Sequence, residues 1–434
     1  MNSLVLFLLM TYCRGSLMRN KIKSNQLISQ MMLMLSIIGP GLITANIDND
    51  AGGIAIYSLA GAKTGYRLLW IILPITIALI IVQEMSARMG VVSGKGLADL
   101  IREKFGARTT FYTIVFLVIA DLGNTTAEFA GIASAGEIFG LSKYITVPLS
   151  SLFVWFLILK GDYRIVERVF LVGCSVYISY IISGIIISPD WGHVVKSIIT
   201  PNFSSIKKTD MPIIVGLIGT SITPWMQFYI QSAIVEKNIS VKNLWHTKVD
   251  VIFGCLTMSL VTIFIIICCA ATIHAVNGEI SSAKDAAIAL KPLAGKYASL
   301  LFGLGLFNAS IFAAALLPLA TSYYVCEGMG WESGVDKSIK EAPNFFFLFG
   351  SLIIISASII LVPGIDLFYI MIITQVVNGI FIPLILLFII NLCNDPDVMG
   401  EYTNSTWYNF ICYFITALMI VANLSLLYFD LFKA

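Results

Sequence analysis

The stretch Asn46-Ile47-Asp48-Asn49-Asp50-Ala51-Gly52-Gly53 interrupts an apolar run that begins at Leu33 and resumes at Ile54. Two acids and two adjacent glycines inside a segment of membrane-spanning length decide how the whole chain reads. Gly lowers helix propensity, and an isolated charge at the bilayer centre costs about 2.5–3.5 kcal/mol or more, so the stretch marks a functional break. A second break, Thr220-Ser221-Ile222-Thr223-Pro224-Trp225, interrupts the run that starts at Met211. Pro224 removes a backbone donor there. The two breaks lie five spans apart, at matching places in two consecutive five-helix halves. Paired broken helices of this kind point to a transporter site at the repeat interface, where free helix-end carbonyls coordinate a cation.

The rest of the chain agrees. Of 434 residues, 58% are hydrophobic and 12% charged, and the mean hydropathy is +0.89. Soluble domains carry about 25% charge. Apolar runs long enough to cross a bilayer predict eleven helices, over about 30–63, 66–90, 109–140, 144–160, 165–188, 211–236, 248–276, 296–326, 343–363, 366–393 and 407–432. Open strands cannot cross lipid without stranding amides, so the fold class is an all-α polytopic membrane protein. The domain reading is a cytoplasmic segment 1–29, a first five-helix repeat over 30–188, a second over 211–393, and an extra helix over 407–432.

With the N-terminus inside, connections on the cytoplasmic side hold 17 Lys and Arg against 10 outside, and the link Arg88–Arg108 is the strongest contributor. The near-balance of 27 basic and 25 acidic residues gives no reason to expect nucleic acid as a partner. Eight cysteines, with Cys174, Cys255, Cys268, Cys269 and Cys412 inside apolar stretches and no Cys-x-x-Cys, read as small apolar residues in helices. Met1–Arg14 makes a poor signal peptide, and Met18, ahead of Arg19, Lys21 and Lys23, is an alternative start. No HExxH, GxSxG or Ser/His/Asp grouping occurs, so an enzyme is not expected.

Several motifs together resemble the Nramp divalent-metal transporters. They are Gly39-Pro40-Gly41, Asp50-Ala51-Gly52-Gly53, Ala60-Gly61-Ala62-Lys63-Thr64-Gly65-Tyr66-Arg67-Leu68-Leu69-Trp70, Val92–Ala98, Ala127-Glu128-Phe129-Ala130-Gly131, and Gln375-Val376-Val377 with Pro383. The resemblance spans about 30–395. It implies the LeuT-like inverted repeat of five plus five helices, with helices 1 and 6 interrupted. The departures from the family pattern are informative. Gly53 stands where the family has an Asn ligand, Thr223 where it has a metal-binding Met, Trp225 where it has a His, and Thr125 where it has an Asp. The short stretch 223–228 resembles most closely the Nramp-related magnesium transporters, a branch described as carrying Mg²⁺ without proton coupling.

A thioether favours transition metals, whereas carboxylate, carbonyl and water suit Mg²⁺, which dehydrates reluctantly. The resemblance and the substitutions therefore imply import of Mg²⁺, and also Mn²⁺, by uncoupled alternating access. The expected metal-contacting set is Asp50 as principal anion, Thr223, carbonyls near Ile47 and Thr220, and Gln375, with Gly53 making space. Asp48, Asn378 and Glu128, the last in an outer shell, complete it. Asp121, Asn124, Thr125 and Glu128 share one helix face through their three- and four-residue spacing. Gln231 is expected to pack, and His274 and Asn308 to carry no function. No resident cofactor is expected, the metal ions being substrates. The partners are the metal and the lipid bilayer, with a monomer in a bacterial plasma membrane. The rival reading is a proton-coupled Mn²⁺/Fe²⁺ symporter of the ordinary Nramp type.

Overall fold

The structure is a computed structural model and describes residues 47, 49–160, 177–335 and 337–431. The expected N-terminal segment, most of the first half of span 1, Asp48, Cys174 and the start of span 5 lie outside the described residues. Numbering the helices of nine residues or more gives α1 (Ala51–Thr64), α2 (Ile72–Ser93), α3 (Leu97–Ile138), α4 (Lys143–Lys160), α5 (Ile178–Ile187), α6 (Trp191–Ile199) and α7 (Met211–Ser221). They are followed by α8 (Pro224–Glu236), α9 (Leu244–Thr272), α10 (Ala298–Met329), α11 (Pro343–Leu361), α12 (Leu367–Cys393) and α13 (Thr406–Leu431). Among the described residues there are no strands. Among the described residues, eight segments are long and apolar enough to cross a membrane, with α4 and α5 as shorter apolar helices.

The sixth span breaks where its sequence says it should. α7 ends at Ser221, Ile222 (φ −129°, ψ 75°) and Thr223 (φ −78°, ψ 146°) are extended, and Pro224 opens α8. Proline disfavours helix in the residue before it and costs nothing at the first helical position, so Thr223-Pro224 both stops one helix and starts the next. In the first span, Asp50 has extended backbone and caps α1, its carboxylate accepting a hydrogen bond from Gly53 N at 2.7 Å.

Two boundaries differ from the sequence reading. The connection taken as Arg88–Arg108 shrinks to a short turn at Gly94–Gly96: α2 runs to Ser93 and α3 starts at Leu97, bending at Gly106 (φ +83°) before entering its apolar part. Three of its five basic residues are in ion pairs, Arg88 with Glu84, Lys95 with Glu103 and Lys104 with Asp395. A count of basic residues sees charge, not partners. The second difference is α6, a helix in the link between spans 5 and 6, started by Asp190 accepting from the backbone of Gly192 and His193.

Close backbone contact positions the centre. α12 lies against α7 through two glycines: a Cβ on Gly219 would fall 1.9 Å from Gln375 O, and one on Gly379 would fall 2.4 Å from Val215 O. Small residues of this kind let membrane helices approach where no hydrophobic driving force separates helix from lipid. The cysteines at 255, 268, 269, 326, 393 and 412 are free and buried, as the sequence reading had it.

Candidate functional site

The site grows from the N-terminus of α1. Asp50 is buried there and Glu128, from α3, is fully buried beside it. Glu128 Oε2 accepts from Ala51 N at 3.3 Å, the two carboxyl groups lie within hydrogen-bonding reach of each other, and Glu128 Oε1 has no aligned partner among the described residues. The helix start carries a partial positive charge that favours anions. That half-charge does not neutralise two carboxylates, and among the described residues neither forms an ion pair. A third residue, Asn49, is wholly buried with both side-chain atoms unpartnered, while its carbonyl accepts from Tyr177 OH at 2.5 Å. The sequence reading passed over Asn49; its one signal was a polar residue inside the break. Ile47, buried and helical, is the last described residue before Asp48.

Gln375 is held between the two broken helices. Its side-chain amide lies against Gly52, where a Cβ would fall 1.8 Å from Nε2, and its backbone carbonyl lies against Gly219. Only glycine at position 52 lets this amide reach the start of α1. The next residue after Gly219, Thr220, is buried and its hydroxyl has no partner. The structure thus brings Asp50, Gly52, Glu128, Gln375 and Thr220 into one neighbourhood. Thr223, also buried, sits three residues farther along, at the first turn of α8. Among the described residues no three His, Cys, Asp or Glu side chains converge into a metal cage. Any cation here is held by few charges and by neutral oxygens.

Behind Gln375 runs a chain of paired amides. Asn378 donates to Gln375 Oε1 at 3.2 Å and to Asn124 Oδ1 at 2.8 Å, and accepts from Asn124 at 3.1 Å. Asn124 also donates to Asp121 at 3.2 Å, and Asp121 accepts from Thr321 at 2.9 Å and Tyr324 at 2.7 Å. The polar face of α3 expected from the sequence exists, but Asp121, Asn124 and Asn378 spend their polar atoms on one another. Thr125, on the same face, keeps an unpartnered buried hydroxyl. Gln231 packs as expected, against Gly90 and with Nε2 donating to Lys95 O at 2.8 Å. His274 lies at a helix end with Nδ1 2.8 Å from Ala62 O, and Asn308 is half-buried in α10.

Comparison with known proteins gives the following. The family described as "Natural resistance-associated macrophage protein-like" (Nramp) matches residues 41–429. The chain is 26% identical over 408 residues to the divalent metal cation transporter MntH of Pectobacterium carotovorum, covering 91% of this chain and 94% of that one. It is 27% identical over 389 residues to MntH of Yersinia pestis, covering 86% and 90%. Among solved structures, the manganese transporter of Eremococcus coleocola superposes with a TM-score of 0.76 at 18% identity, covering 95% of this chain and 90% of that one. The structural likeness shows the fold, the LeuT-like arrangement in which the first and sixth helices are interrupted.

Proposed function

The chain belongs to the Nramp family, and from that premise we propose that it is a multi-pass membrane transporter of divalent metal cations that imports Mg²⁺, and also Mn²⁺, without proton coupling. The observation that carries the reading is the pair Asp50 and Glu128 at the start of α1, buried and without an ion-pair partner among the described residues, with the Gln375 side-chain amide against Gly52 and the unpartnered Thr220 hydroxyl on the neighbouring broken helix. A buried site with carboxylates and neutral oxygen ligands suits a hard dication that keeps part of its water. Thr223, where the family carries a methionine, offers oxygen in place of sulfur, which removes the preference for transition metals. Asp50, Thr223, Gln375 and the carbonyls around Ile47 and Thr220 make the first contacts, with Gly53 leaving room. Asp48 belongs to the same break, Asn378 orients Gln375, and Glu128 accepts from metal-bound water.

The same assignment divides the chain into halves at 30–188 and 211–393, with 407–432 as an addition. It places a monomer in the plasma membrane of a bacterium with its N-terminus inside. No proton is needed to drive uptake. Moving a dication through 100 mV is worth about 4.6 kcal/mol, roughly a thousandfold accumulation. Trp225 occupies the position of the family's histidine, and the histidines of the chain, at 193, 246 and 274, lie in connections or at helix ends.

A proton-coupled Mn²⁺/Fe²⁺ symporter is the second reading, favoured by the contact of Glu128 with the start of α1, which would let a proton and the ion compete for one pair of acids. Proteoliposomes with an internal pH dye separate the two. Voltage-driven Mg²⁺ uptake without acidification, and a shift toward Mn²⁺ in Thr223→Met, are the expected results. Metal-driven acidification that Glu128→Gln abolishes would overturn the uncoupled reading.

A further inference from the structure

Far from the break, at the other end of α8, three more oxygens lack partners. They are Gln231 Oε1, Ser232 Oγ and Glu327 Oε2, all shut off from solvent. Gln231 is fully buried and Ser232 is 6% exposed. They surround one peptide link, Lys95-Gly96, between α2 and α3. Gln231 donates its amide N–H to Lys95 O, which turns its carbonyl oxygen away, and a Cβ on Gly96 would fall 2.1 Å from Glu327 Oε2. Glu327, from α10, also lies against Ser232, and neither atom closes a properly aligned hydrogen bond.

Two more carboxylates lead outward from there. Asp99 is half-buried and Glu236 exposed, both near enough to act on Glu327, and Glu236 accepts from Tyr323 OH at 3.1 Å. The nearby cations serve other carboxylates: Lys95 is paired with Glu103 at 2.7 Å, Lys95 and Arg102 both act on Asp99, and among the described residues Glu327 forms no ion pair. Carboxylates thus run from the surface to a buried one, which ends against the Ser232 hydroxyl, on the helix that carries the unpartnered amide oxygen of Gln231. Leaving three such acceptors bare costs more than a fold gains from them, since each unmade hydrogen bond forfeits about 1–3 kcal/mol. Hard oxygens of this kind are the ligands of a hard cation.

We propose that Glu327, the Gln231 side-chain carbonyl and the Ser232 hydroxyl form a second divalent-cation site, a way station on the path of the ion. The proposal rests on the transport reading. α8 joins the two places: it starts at the break beside Thr223 and carries Ser232 nine residues later, about 13 Å along its axis at ~1.5 Å per residue. By the charge distribution of the sequence this end faces the cytoplasm, so the station is met on release. One carboxylate with neutral oxygens holds a partly hydrated ion loosely, which an exit site requires.

The test is a calorimetric titration of the purified full chain with Mn²⁺, repeated with Mg²⁺ as competitor. Wild type is expected to bind two ions. Glu327→Gln should leave one, and Asp50→Ala should leave the other. Ser232→Ala removes a buried, unpartnered hydroxyl and so should not harm folding, yet it should weaken the second site on the order of tenfold. A single wild-type ion lost with Asp50→Ala, or two ions bound unchanged in both Glu327→Gln and Ser232→Ala, overturns the station and leaves the proposed function standing. If Asp50→Ala keeps both ions while Glu327→Gln loses one, the broken-helix assignment fails and the station survives.

Discussion

Among the described residues, the buried charged clusters at the end of α2 and at the start of α1 are built in opposite ways. At the end of α2, Glu84 accepts from Arg88 Nε at 3.1 Å, Lys248 Nζ at 2.9 Å and Tyr408 OH at 2.9 Å. Arg88 then spends its remaining donors on Tyr402 O and Asn404 Oδ1. Around the start of α1, Asp50 and Glu128 have backbone N–H donors and no cation, with the Glu128 oxygen, the Thr220 hydroxyl and the Asn49 amide left over. Burying an ion is tolerable when its partners come with it. The first cluster brings its own and ties α2, α9 and α13 together. The second leaves the place of the cation open, which is what a transport site must do.

The comparison breaks most visibly at Asp50. Asp50→Ala should lower Mg²⁺ uptake by more than the ~10–100-fold that changes to outer-shell groups cost a metal site, while the thermal midpoint in detergent stays within a few degrees. Uptake equal to wild type would remove Asp50 from the site. Arg88→Ala should do the reverse. Removing one partner of a buried pair costs about 3–5 kcal/mol, and because Lys248 still faces Glu84 the lower end applies. Stability should fall by that amount, read by denaturation in detergent, with uptake per folded molecule unchanged. A transport defect in well-folded Arg88→Ala would show that this cluster moves during the cycle.

How far the sequence foretold this contrast depends on what each cluster needs. The break at Thr223-Pro224 was legible because proline acts locally on its neighbour, and Asp50 because an acid between apolar runs has no bland reason to be there. Gln375 was legible through the motif that carries it. The sequence misled at Arg88, read as a connection residue, because its acceptors Tyr402 and Asn404 come from a distant part of the chain, and its neighbour Glu84 is shared with Lys248 from another. Asn49, Ser232 and Glu327 stayed unmarked for a related reason. Residue type was visible, but having no partner is a property of packing that only three dimensions display. Asn378 and Asn124 lie between these cases: their helix faces were predictable, their mutual bonding was not.

That amide pair offers a finer test. Asn378→Ala leaves Asn124 and Gln375 each short of a buried partner, a loss of about 1–3 kcal/mol. If Asn378 serves by holding Gln375 against Gly52, the apparent affinity for Mg²⁺ should weaken several-fold, and Asn378→Asp, which still accepts from Asn124 but cannot donate to Gln375, should weaken it similarly. Equal affinity in both variants would confine the pair to packing α3 on α12.

The smallest effect belongs to charge at the surface. Lys104 pairs with Asp395, whose carboxylate also accepts from Asp397 N at 3.0 Å; together they hold its pKa below the usual carboxylate value, with the Lys104 hydrogen bond the largest cause. A carboxylate whose folded pKa is depressed contributes stability above its unfolded value, and the contribution disappears as pH falls through the folded one. Lys104→Gln should therefore cost a little stability at neutral pH and nothing once Asp395 is protonated in both states. Thermal midpoints of the two proteins should differ slightly at pH 7 and converge as pH falls below the lowered folded-state pKa of Asp395. Lys104 is exposed although Asp395 is buried, so salt reaches the pair and the difference at pH 7 should also shrink in ~1 M salt. A gap that persists in acid would mean that the Lys104 side chain stabilises α3 by packing and not by its charge.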